Sequence, residues 1–289
     1  MKTLKKIFNN LCFLSFLNGI LLTSLFYFKS QSNFEDALFA SINKNVRSTL
    51  KPGDSDDSMI VRSMHICYRL MHIRASVFMD DKTENNFISI LNPVTVDLIT
   101  ARGACGSYSA VLARLLANDG YAVRIAQMKA NGFFGAHNIV EVNIDRRWEV
   151  LDPTYDLYFI RPDGKIAGFA DVRNNWSYYI PQLPKEYKLA YHYEDVRYTN
   201  WEKFPIIMPA IKKLLNMFMG ADKANAISLH VYFLRIYAVC FYIALVLFLF
   251  QFIHTCRKIA AKYALPKYNF RILPGKGKQL LSPSAQSTG

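Results

Sequence analysis

The sequence predicts an α+β domain between two transmembrane helices. Two long apolar runs, at residues 7–28 and 236–253, each approach the roughly 20 residues that cross a bilayer as a helix. Between these runs, apolar residues recur first at helical spacing and then, from residue 121 onward, at the alternating spacing of strands. A helix that precedes an antiparallel meander is typical of α+β domains.

The first apolar run belongs to a predicted N-terminal anchor, residues 1–28. A lysine-bearing start precedes the run, and this order is shared by uncleaved anchors and cleaved signal peptides. No small-residue cleavage site follows Phe28, where the chain continues as Lys29-Ser30-Gln31-Ser32. This favours an uncleaved anchor, with a cleaved signal peptide as the alternative.

The second apolar run lies in a predicted transmembrane helix, residues 229–255. Residues 236–253 contain no charged side chain, whereas core helices of soluble domains are rarely so uniformly apolar. The remaining segment, 256–289, is basic and becomes rich in Lys, Gly, Ser and Pro. It is predicted to be a disordered tail in the cytoplasm.

The formal net charge of +13 is concentrated at the two ends of the chain. The anchor carries three lysines and no acid, residues 229–289 carry eight basic residues and no acid, and residues 29–228 have a net charge of only +2. A nearly neutral middle argues against a nucleic-acid partner. The basic ends follow the positive-inside rule, which predicts a cell-membrane protein with both termini in the cytoplasm. Residues 29–228 then lie outside the cytoplasm, in the periplasm or on the exoplasmic side.

Two helices are predicted after the anchor, at residues 33–50 and 58–78. The sequence Lys51-Pro52-Gly53-Asp54 separates them, because Pro and Gly end helices and form turns. Each helix has apolar side chains on one stripe, which predicts a buried face. The stripe residues are Phe34, Ala37, Leu38, Ile42 and Val46 in the first helix, and Ile60, Met64, Cys67 and Met71 in the second.

A further helix and three strands complete the predicted domain, residues 29–170. The helix spans 107–118 and ends at Asp119-Gly120. Its predicted buried residues are Val111, Leu112, Leu115 and Leu116. The strands are predicted at 121–129, 137–144 and 148–152, with a loop at 131–135. Residues 171–228 are predicted to be an accessory or C-terminal part of the domain, and they include an amphipathic helix at 208–219 that fits either a membrane surface or a protein core.

Cys105, His137 and Asp152 are the candidate catalytic residues. Cys105 precedes the helix that begins near Ser107, so the N–H groups and the dipole of that helix favour the thiolate, which is the nucleophilic form. His137 and Asp152 lie at the far ends of two strands that a tight turn joins. A carboxylate in this position orients the imidazole and stabilises the imidazolium that forms when histidine takes the thiol proton.

Two registers of this hairpin are consistent with the sequence. A two-residue turn at Ile144-Asp145 places residue 137 directly opposite residue 152. A turn at Asp145-Arg146 makes the same two residues diagonal neighbours on one face of the sheet. Either register brings the imidazole and the carboxylate together.

Three sequence blocks resemble the transglutaminase-like superfamily, a branch of papain-like thiol enzymes. They cover about 60 residues in the order Cys, His, Asp, with the helix and strands between them. The blocks are Arg102-Gly103-Ala104-Cys105-Gly106-Ser107-Tyr108-Ser109, Gly135-Ala136-His137-Asn138 with Val140-Glu141-Val142, and Trp148-Glu149-Val150-Leu151-Asp152-Pro153-Thr154. The resemblance implies a papain/transglutaminase-like core made of N-terminal helices, a nucleophile helix and an antiparallel sheet, flanked by the two transmembrane helices.

The resemblance also implies thiol-dependent acyl transfer or hydrolysis at amide groups of proteins or peptides, through a thioester on Cys105. The animal crosslinking enzymes of this superfamily use calcium, but the sequence has no Asp-rich loop of the EF-hand kind, so no cofactor or metal is predicted. Asn138 departs from the family, which has a small apolar residue or an aromatic one after the histidine. The side-chain donor that papain-like enzymes supply to the oxyanion is unassigned, with Asn92 as the nearest candidate. The alternative function is a catalytically idle domain that serves as a membrane-tethered binding or assembly scaffold in the cell envelope.

Three further arrangements compete with this interpretation. A Cys67–Cys105 disulfide would block the thiol chemistry. His65, Cys67 and His72 suggest a metal site, although residues 65 and 72 are two helical turns apart and no further ligand cluster accompanies them. Asp156, four residues past Asp152, is an alternative partner for the imidazole.

Overall fold

The computed structural model describes residues 10–78, 92–203 and 205–263. Its helices are α1 (Leu11–Ser48), α2 (Asp56–Phe78), α3 (Val94–Thr100), α4 (Cys105–Asn118), α5 (Phe169–Asn174), α6 (Trp176–Tyr179), α7 (Ile207–Met219), α8 (Ala221–Asn225), α9 (Leu229–Phe233) and α10 (Ile236–Lys262). Its strands are β1 (Ala122–Ala130), β2 (Phe133–Ile144), β3 (Arg147–Asp152), β4 (Leu157–Tyr158) and β5 (Val196–Arg197). The described residues form two compact units, one within 20–247 and the other made of 10–19 with 248–263.

Helices α1 and α10 are both long and apolar enough to cross a membrane. Their most apolar windows have mean hydropathies of 1.9 and 2.5, and only 11% of each window is buried against the rest of the protein. In the smaller unit the Asn18 side-chain amide donates to the Thr255 hydroxyl over 2.9 Å, a polar bond of the kind that joins helices in bilayers. The predicted disordered tail at 256–289 begins too early, because α10 continues as a helix to Lys262. The rest of that tail, from residue 264 onward, and the lysines at residues 2, 5 and 6 lie outside the described residues. The orientation across the membrane stays a prediction.

The predicted helix at 33–50 is confirmed as far as Ser48, but it is not separate from the apolar run, because α1 continues without a break through both. Its predicted stripe is confirmed in part, because Leu38 and Ile42 pack against the core, whereas Ala37 is exposed. Phe34 is 62% exposed, whereas Phe39 and the predicted Val46 are fully buried. The polar residues Glu35 and Asn43 share that buried stripe, and Asn43 donates to the Leu115 carbonyl oxygen over 2.9 Å. A stripe that contains polar residues cannot be found from apolar periodicity alone.

The predicted core residues of the next two long helices are confirmed. In α2 and α4 all eight predicted positions are fully buried, namely Ile60, Met64, Cys67, Met71, Val111, Leu112, Leu115 and Leu116. These two helices pack together with the face of the sheet that carries Ile125, Val140 and Leu151. The burial of α2 and α4 explains why their apolar spacing was the clearest signal in the sequence.

The sheet is antiparallel, with the strand order β4-β3-β2-β1-β5. The predicted loop at 131–135 is shorter than expected, because Asn131 and Gly132, with φ of 51° and 83°, form a two-residue turn and β2 begins at Phe133. Gly135 and Ala136 then form a bulge, since Met128 pairs with His137 while Lys129 pairs with Phe134. A bulge changes the direction in which nearby side chains point, and this one directly precedes His137.

The second face of the sheet is covered by residues that follow β3. Ala126, Ile139 and Val150 on this face pack with aromatic residues from the segment 155–198. Strand β5, from the predicted accessory region, pairs with the edge of β1. The described residues of 20–247 therefore form an α+β structure whose sheet is covered on both faces.

Candidate active site

The turn before α4 holds Cys105 at the first residue of that helix. Ala104 has φ 45° and ψ −126°, a conformation that is rare for residues other than glycine. The Ser107 hydroxyl donates to Asp97 over 2.5 Å and accepts from the Gly103 N–H over 2.8 Å. A Cβ atom on Gly103 would lie 2.5 Å from the Ser107 oxygen, so glycine is needed for this close approach. Burial raises the pKa of Asp97 to about 6.

The thiol of Cys105 is free and more acidic than an ordinary cysteine. Burial raises its pKa, but the hydrogen bond and charge of His137, with the Asn138 backbone, outweigh burial, so the net pKa is lowered. Cys67 is the opposite case: it is fully buried, burial raises its pKa, and its thiol donates to the Tyr108 carbonyl oxygen over 3.6 Å. Both cysteines are unbridged, so the Cys67–Cys105 disulfide is absent.

His137 and Asp152 form a buried pair. The imidazole Nε2 lies 2.6 Å from the Asp152 carboxylate, and each residue is only 1% exposed. Burial lowers the pKa of His137, but the charge and hydrogen bond of Asp152, together with the Cys105 thiol, raise it to about 10. Because Nε2 is hydrogen-bonded to Asp152, Nδ1 is the ring nitrogen that can interact with the Cys105 thiol.

The hairpin has the second of the two predicted registers. Asp145 and Arg146 form the turn, with φ of 50° and 67°, and Ile144 pairs with Arg147. Continuing this register beyond the Val140–Leu151 pair places Ile139 opposite residue 152. Residue 137 is therefore the diagonal neighbour of residue 152, and the hydrogen bond crosses that diagonal.

The other predicted partners lie elsewhere. Asp156 hydrogen-bonds His65 at 2.6 Å and so does not replace Asp152 as the partner of His137. His72 stacks on Tyr68, with ring centroids 5.0 Å apart. Within residues 10–78, 92–203 and 205–263 no group of three or more His, Cys, Asp or Glu residues is placed to hold a metal ion. Asn92 is exposed, two residues before α3.

Asn138, the residue that departs from the family pattern, lies beside the thiol. Its amide nitrogen is 3.8 Å from the Cys105 sulfur. Its carbonyl oxygen accepts from the Ser109 hydroxyl over 3.0 Å, so α4 and β2 are tied together one helical turn from the nucleophile. Its amide oxygen is buried with no hydrogen-bond partner among the described residues.

Three tyrosines around the imidazole were missed by the sequence analysis. The Tyr191 ring lies flat against His137, with centroids 4.6 Å apart and an interplanar angle of 5°. Tyr155 contacts the same imidazole at 5.7 Å. Tyr187 packs on Tyr155 and donates its hydroxyl to the Tyr191 carbonyl oxygen over 2.9 Å. Only the high aromatic content of 155–193 pointed to them, since this segment has no regular periodicity.

The stacking of Tyr191 leads to a prediction. Replacing Tyr191 with Leu should slow alkylation of Cys105 at mildly acidic pH by about 10-fold, because an aromatic face that stabilises a cation contributes roughly 0.5–2 kcal/mol. Tyr191→Phe keeps the ring and should react at nearly the wild-type rate. The measurement is the rate of iodoacetamide labelling at Cys105. Equal rates for the Leu and Phe variants would show that the ring does not stabilise the imidazolium.

A cavity of about 440 Å³ lies away from these residues. Its lining includes Arg124, Trp148 and Tyr198, and none of the three candidate catalytic residues. The Arg124 guanidinium lies between the rings of Trp148 and Tyr198, at 4.1 and 4.0 Å, and is bonded to Glu141 over 2.8 Å. This arginine is satisfied within the protein, so it is not available as an anion-binding group.

The chain was compared with family models, curated proteins and solved structures. No family model, curated protein or solved structure matches the chain. The resemblance to the transglutaminase-like superfamily therefore stays a prediction from the three sequence blocks.

Proposed function

We propose that this protein is a membrane-anchored, transglutaminase-like thiol enzyme that acts on amide groups of proteins or peptides. Cys105 is the nucleophile, His137 its acid–base partner and Asp152 the residue that orients the imidazole. The supporting observation is the pairing of a thiol whose pKa is lowered with an imidazole whose pKa is raised to about 10 by a buried carboxylate. Both shifts favour the thiolate and the imidazolium over the neutral thiol and imidazole.

In the first step the Cys105 sulfur attacks the carbonyl carbon of a carboxamide or peptide bond. A carbon–sulfur bond forms, and the carbonyl electrons move to oxygen. When the carbonyl re-forms, the carbon–nitrogen bond breaks, and Nδ1 of His137 gives its proton to the leaving nitrogen. Ammonia or an amine departs, and the acyl group stays on Cys105 as a thioester.

Two groups beside the sulfur suit the oxyanion of this step. The first is the backbone N–H of Cys105, at the positive end of the α4 dipole. The second is the Asn138 side-chain amide, whose nitrogen is 3.8 Å from the sulfur. The unpartnered amide oxygen of Asn138 supports a role in substrate binding, because buried polar atoms without partners are uncommon. Asn138 replaces Asn92 as our candidate side-chain donor.

In the second step an amine or water attacks the thioester. His137, now neutral, accepts the proton of the attacking group, the carbon–sulfur bond breaks, and the thiolate is restored. An amine acceptor gives a crosslink, and water gives deamidation or proteolysis. The buried Asp152 stabilises the imidazolium in both steps without itself taking the proton.

Selective alkylation tests the proposal. The full-length protein in detergent is treated with iodoacetamide at about pH 5.5, where ordinary thiols with a pKa near 8.5 are almost fully protonated. We expect rapid labelling of Cys105, and release of ammonia from glutamine-containing peptides in unlabelled samples. Cys105→Ala should abolish both signals, and buried Cys67 serves as the internal control that stays unlabelled while the protein is folded.

The opposite result would favour the idle scaffold. If Cys105 reacts at the slow rate of an ordinary thiol and its labelling increases only near pH 8.5, then no thiolate–imidazolium pair exists and the enzyme proposal fails. Identification of the labelled cysteine by peptide mass spectrometry distinguishes Cys105 from the exposed Cys12 and Cys256.

A further inference from the structure

Helix α7 carries an apolar face that points away from the protein. No residue of this helix is buried. Ile207, Leu214, Met217 and Phe218 are 60%, 51%, 72% and 76% exposed. Their spacing of seven, three and one places all four side chains on one side of the helix, where small exposed Ala210 also lies. We call these five residues the α7 outer face.

The side of α7 that faces the rest of the domain carries the half-buried Met208, Ile211 and Leu215 together with two polar residues, Lys212 and Asn216. Asn216 is half-buried, and the half-buried Lys212 has its ammonium 5.8 Å from the centre of the Trp201 ring. A surface helix of a soluble domain has one apolar stripe, against the core, and polar residues in water, whereas α7 is apolar on its outer side as well. The apolar outer face therefore requires an environment other than water, or a partner that covers it.

The charges around α7 favour an anionic or zwitterionic surface. From Lys203 to Ala221 the chain contains three lysines, at 203, 212 and 213, and no acidic residue. Lys213 is exposed and borders the outer face. Lysines in this position can extend their ammonium groups to phosphate while their carbon chains lie along apolar surface.

Helix α7 is close in sequence to α10. Only α8, α9 and short turns separate it from α10, which is long and apolar enough to cross a bilayer. Tyr232, on α9, is 65% exposed, and tyrosines are enriched at the membrane–water interface. A helix joined to a span by so short a segment has lipid as its nearest large apolar surface.

We infer that α7 is an interfacial helix whose outer face enters the lipid headgroup and upper acyl region on the side of the bilayer that carries the domain. The exposed Lys213, which borders this face, then lies at the level of the lipid phosphates. The partner is the lipid surface itself, rather than a second protein. This inference uses no part of the thiol chemistry and goes beyond the proposed function.

Lipid quenching in proteoliposomes tests this placement. In the full-length chain, Cys12, Cys105, Cys240 and Cys256 are replaced with Ala, and buried Cys67 is kept. One new cysteine is added, as Phe218→Cys on the outer face or as Asn174→Cys, an exposed position at the end of α5. Each carries a thiol-reactive fluorophore, and the vesicles contain phosphatidylcholine with or without a nitroxide near the top of the acyl chain.

We expect the nitroxide lipid to lower emission from position 218 by about two-fold or more and to leave position 174 unchanged, because quenching needs contact with the acyl region. Equal emission from position 218 in both kinds of vesicle would overturn the inference, whether the face is then in water or covered by a second copy of the chain. Leu214→Cys is the second probe site if the 218 variant misfolds, and misfolding is detected by labelling of Cys67.

Discussion

Replacing Asp152 with Asn is expected to slow acyl transfer at Cys105 by about 10³- to 10⁴-fold, the size of effect seen when the carboxylate of a catalytic triad is neutralised. The reason is the buried 2.6 Å contact between Asp152 and Nε2 of His137. Asparagine has nearly the same shape but no charge, so it removes the stabilisation of the imidazolium and permits the wrong tautomer. Turnover of glutamine-containing peptides measures the loss.

The same variant should change how Cys105 reacts at different pH. Asp152 raises the pKa of His137 to about 10, and the resulting imidazolium lowers the pKa of the thiol. Without the carboxylate, the imidazole is neutral above its ordinary pKa of about 6.5, and the thiol then loses a cation. The inflection of the alkylation rate should therefore move to higher pH, towards about 8.5.

Asp156 provides the matched control for this prediction. It is a nearby carboxylate that also binds a histidine at 2.6 Å, but that histidine is His65. Asp156→Asn should leave both the turnover and the alkylation inflection of Cys105 unchanged. An unchanged inflection in Asp152→Asn as well would mean that the helix N-terminus alone sets the acidity of the thiol, and the triad assignment would then be wrong.

The second large effect is expected at Asp36, on α1. Its carboxylate is paired with Arg114, a residue of α4 whose side chain is only 2% exposed. Asp36→Ala leaves this guanidinium buried without its ion-pair partner, and such a change costs about 3–5 kcal/mol of unfolding free energy. For a domain of this size, about 3 kcal/mol lowers Tm by roughly 6–12 °C. Thermal unfolding of the detergent-solubilised protein measures the shift.

Two further variants test whether the loss of stability comes from the unpaired buried charge of Arg114 or from the loss of any ion pair of Asp36. Arg235 also binds Asp36, at 2.6 Å, but its side chain is 54% exposed. Arg235→Ala should therefore cost no more than about 1 kcal/mol. In the Asp36→Ala protein, a second change, Arg114→Met, should restore most of the lost stability, because it removes the stranded charge and retains apolar contact with Phe39. Failure of this rescue would show that Asp36 acts through something other than Arg114.

This charge pair also connects the candidate site to α1. Arg114 lies on the same helix as Cys105, and Asp36 lies on α1, downstream of its apolar run. The Asn43–Leu115 hydrogen bond joins the same two helices. The position of the nucleophile helix therefore depends on polar contacts with α1 as well as on core packing.

Local signals identified those parts of the molecule in which apolar spacing and turn residues agree. The buried stripes of α2 and α4, the positions of β1 and β3, most of β2 and the end of α4 at Asp119 were all predicted in this way. The sequence allowed two registers for the β2–β3 hairpin, and the structure has the one with its turn at Asp145-Arg146. These features were readable because residues three or four apart in a helix, or two apart in a strand, share a face.

Apolar spacing did not predict the buried surface where polar and apolar residues share it. Glu35 and Asn43 hid the inward face of α1, and the bulge at Gly135 was read as a loop. Asn138 lies beside the Cys105 thiol, and Tyr191 stacks on His137. The two residues of each contact are distant along the chain. No periodicity encodes such pairs.

From sequence came the order of the longer helices and of the three longer strands, two helices able to cross a membrane, and three residues chosen as a candidate site. The short elements α3, α5, α6, α8, α9, β4 and β5 were not predicted. The tertiary structure decided that His137 is bonded to Asp152 and not to Asp156, that Cys67 is buried and unbridged, and that Tyr191 covers the imidazole. The physical reason is that spacing along a chain determines which face a side chain occupies. The partner that it meets there is set by the packing of segments that are remote in sequence.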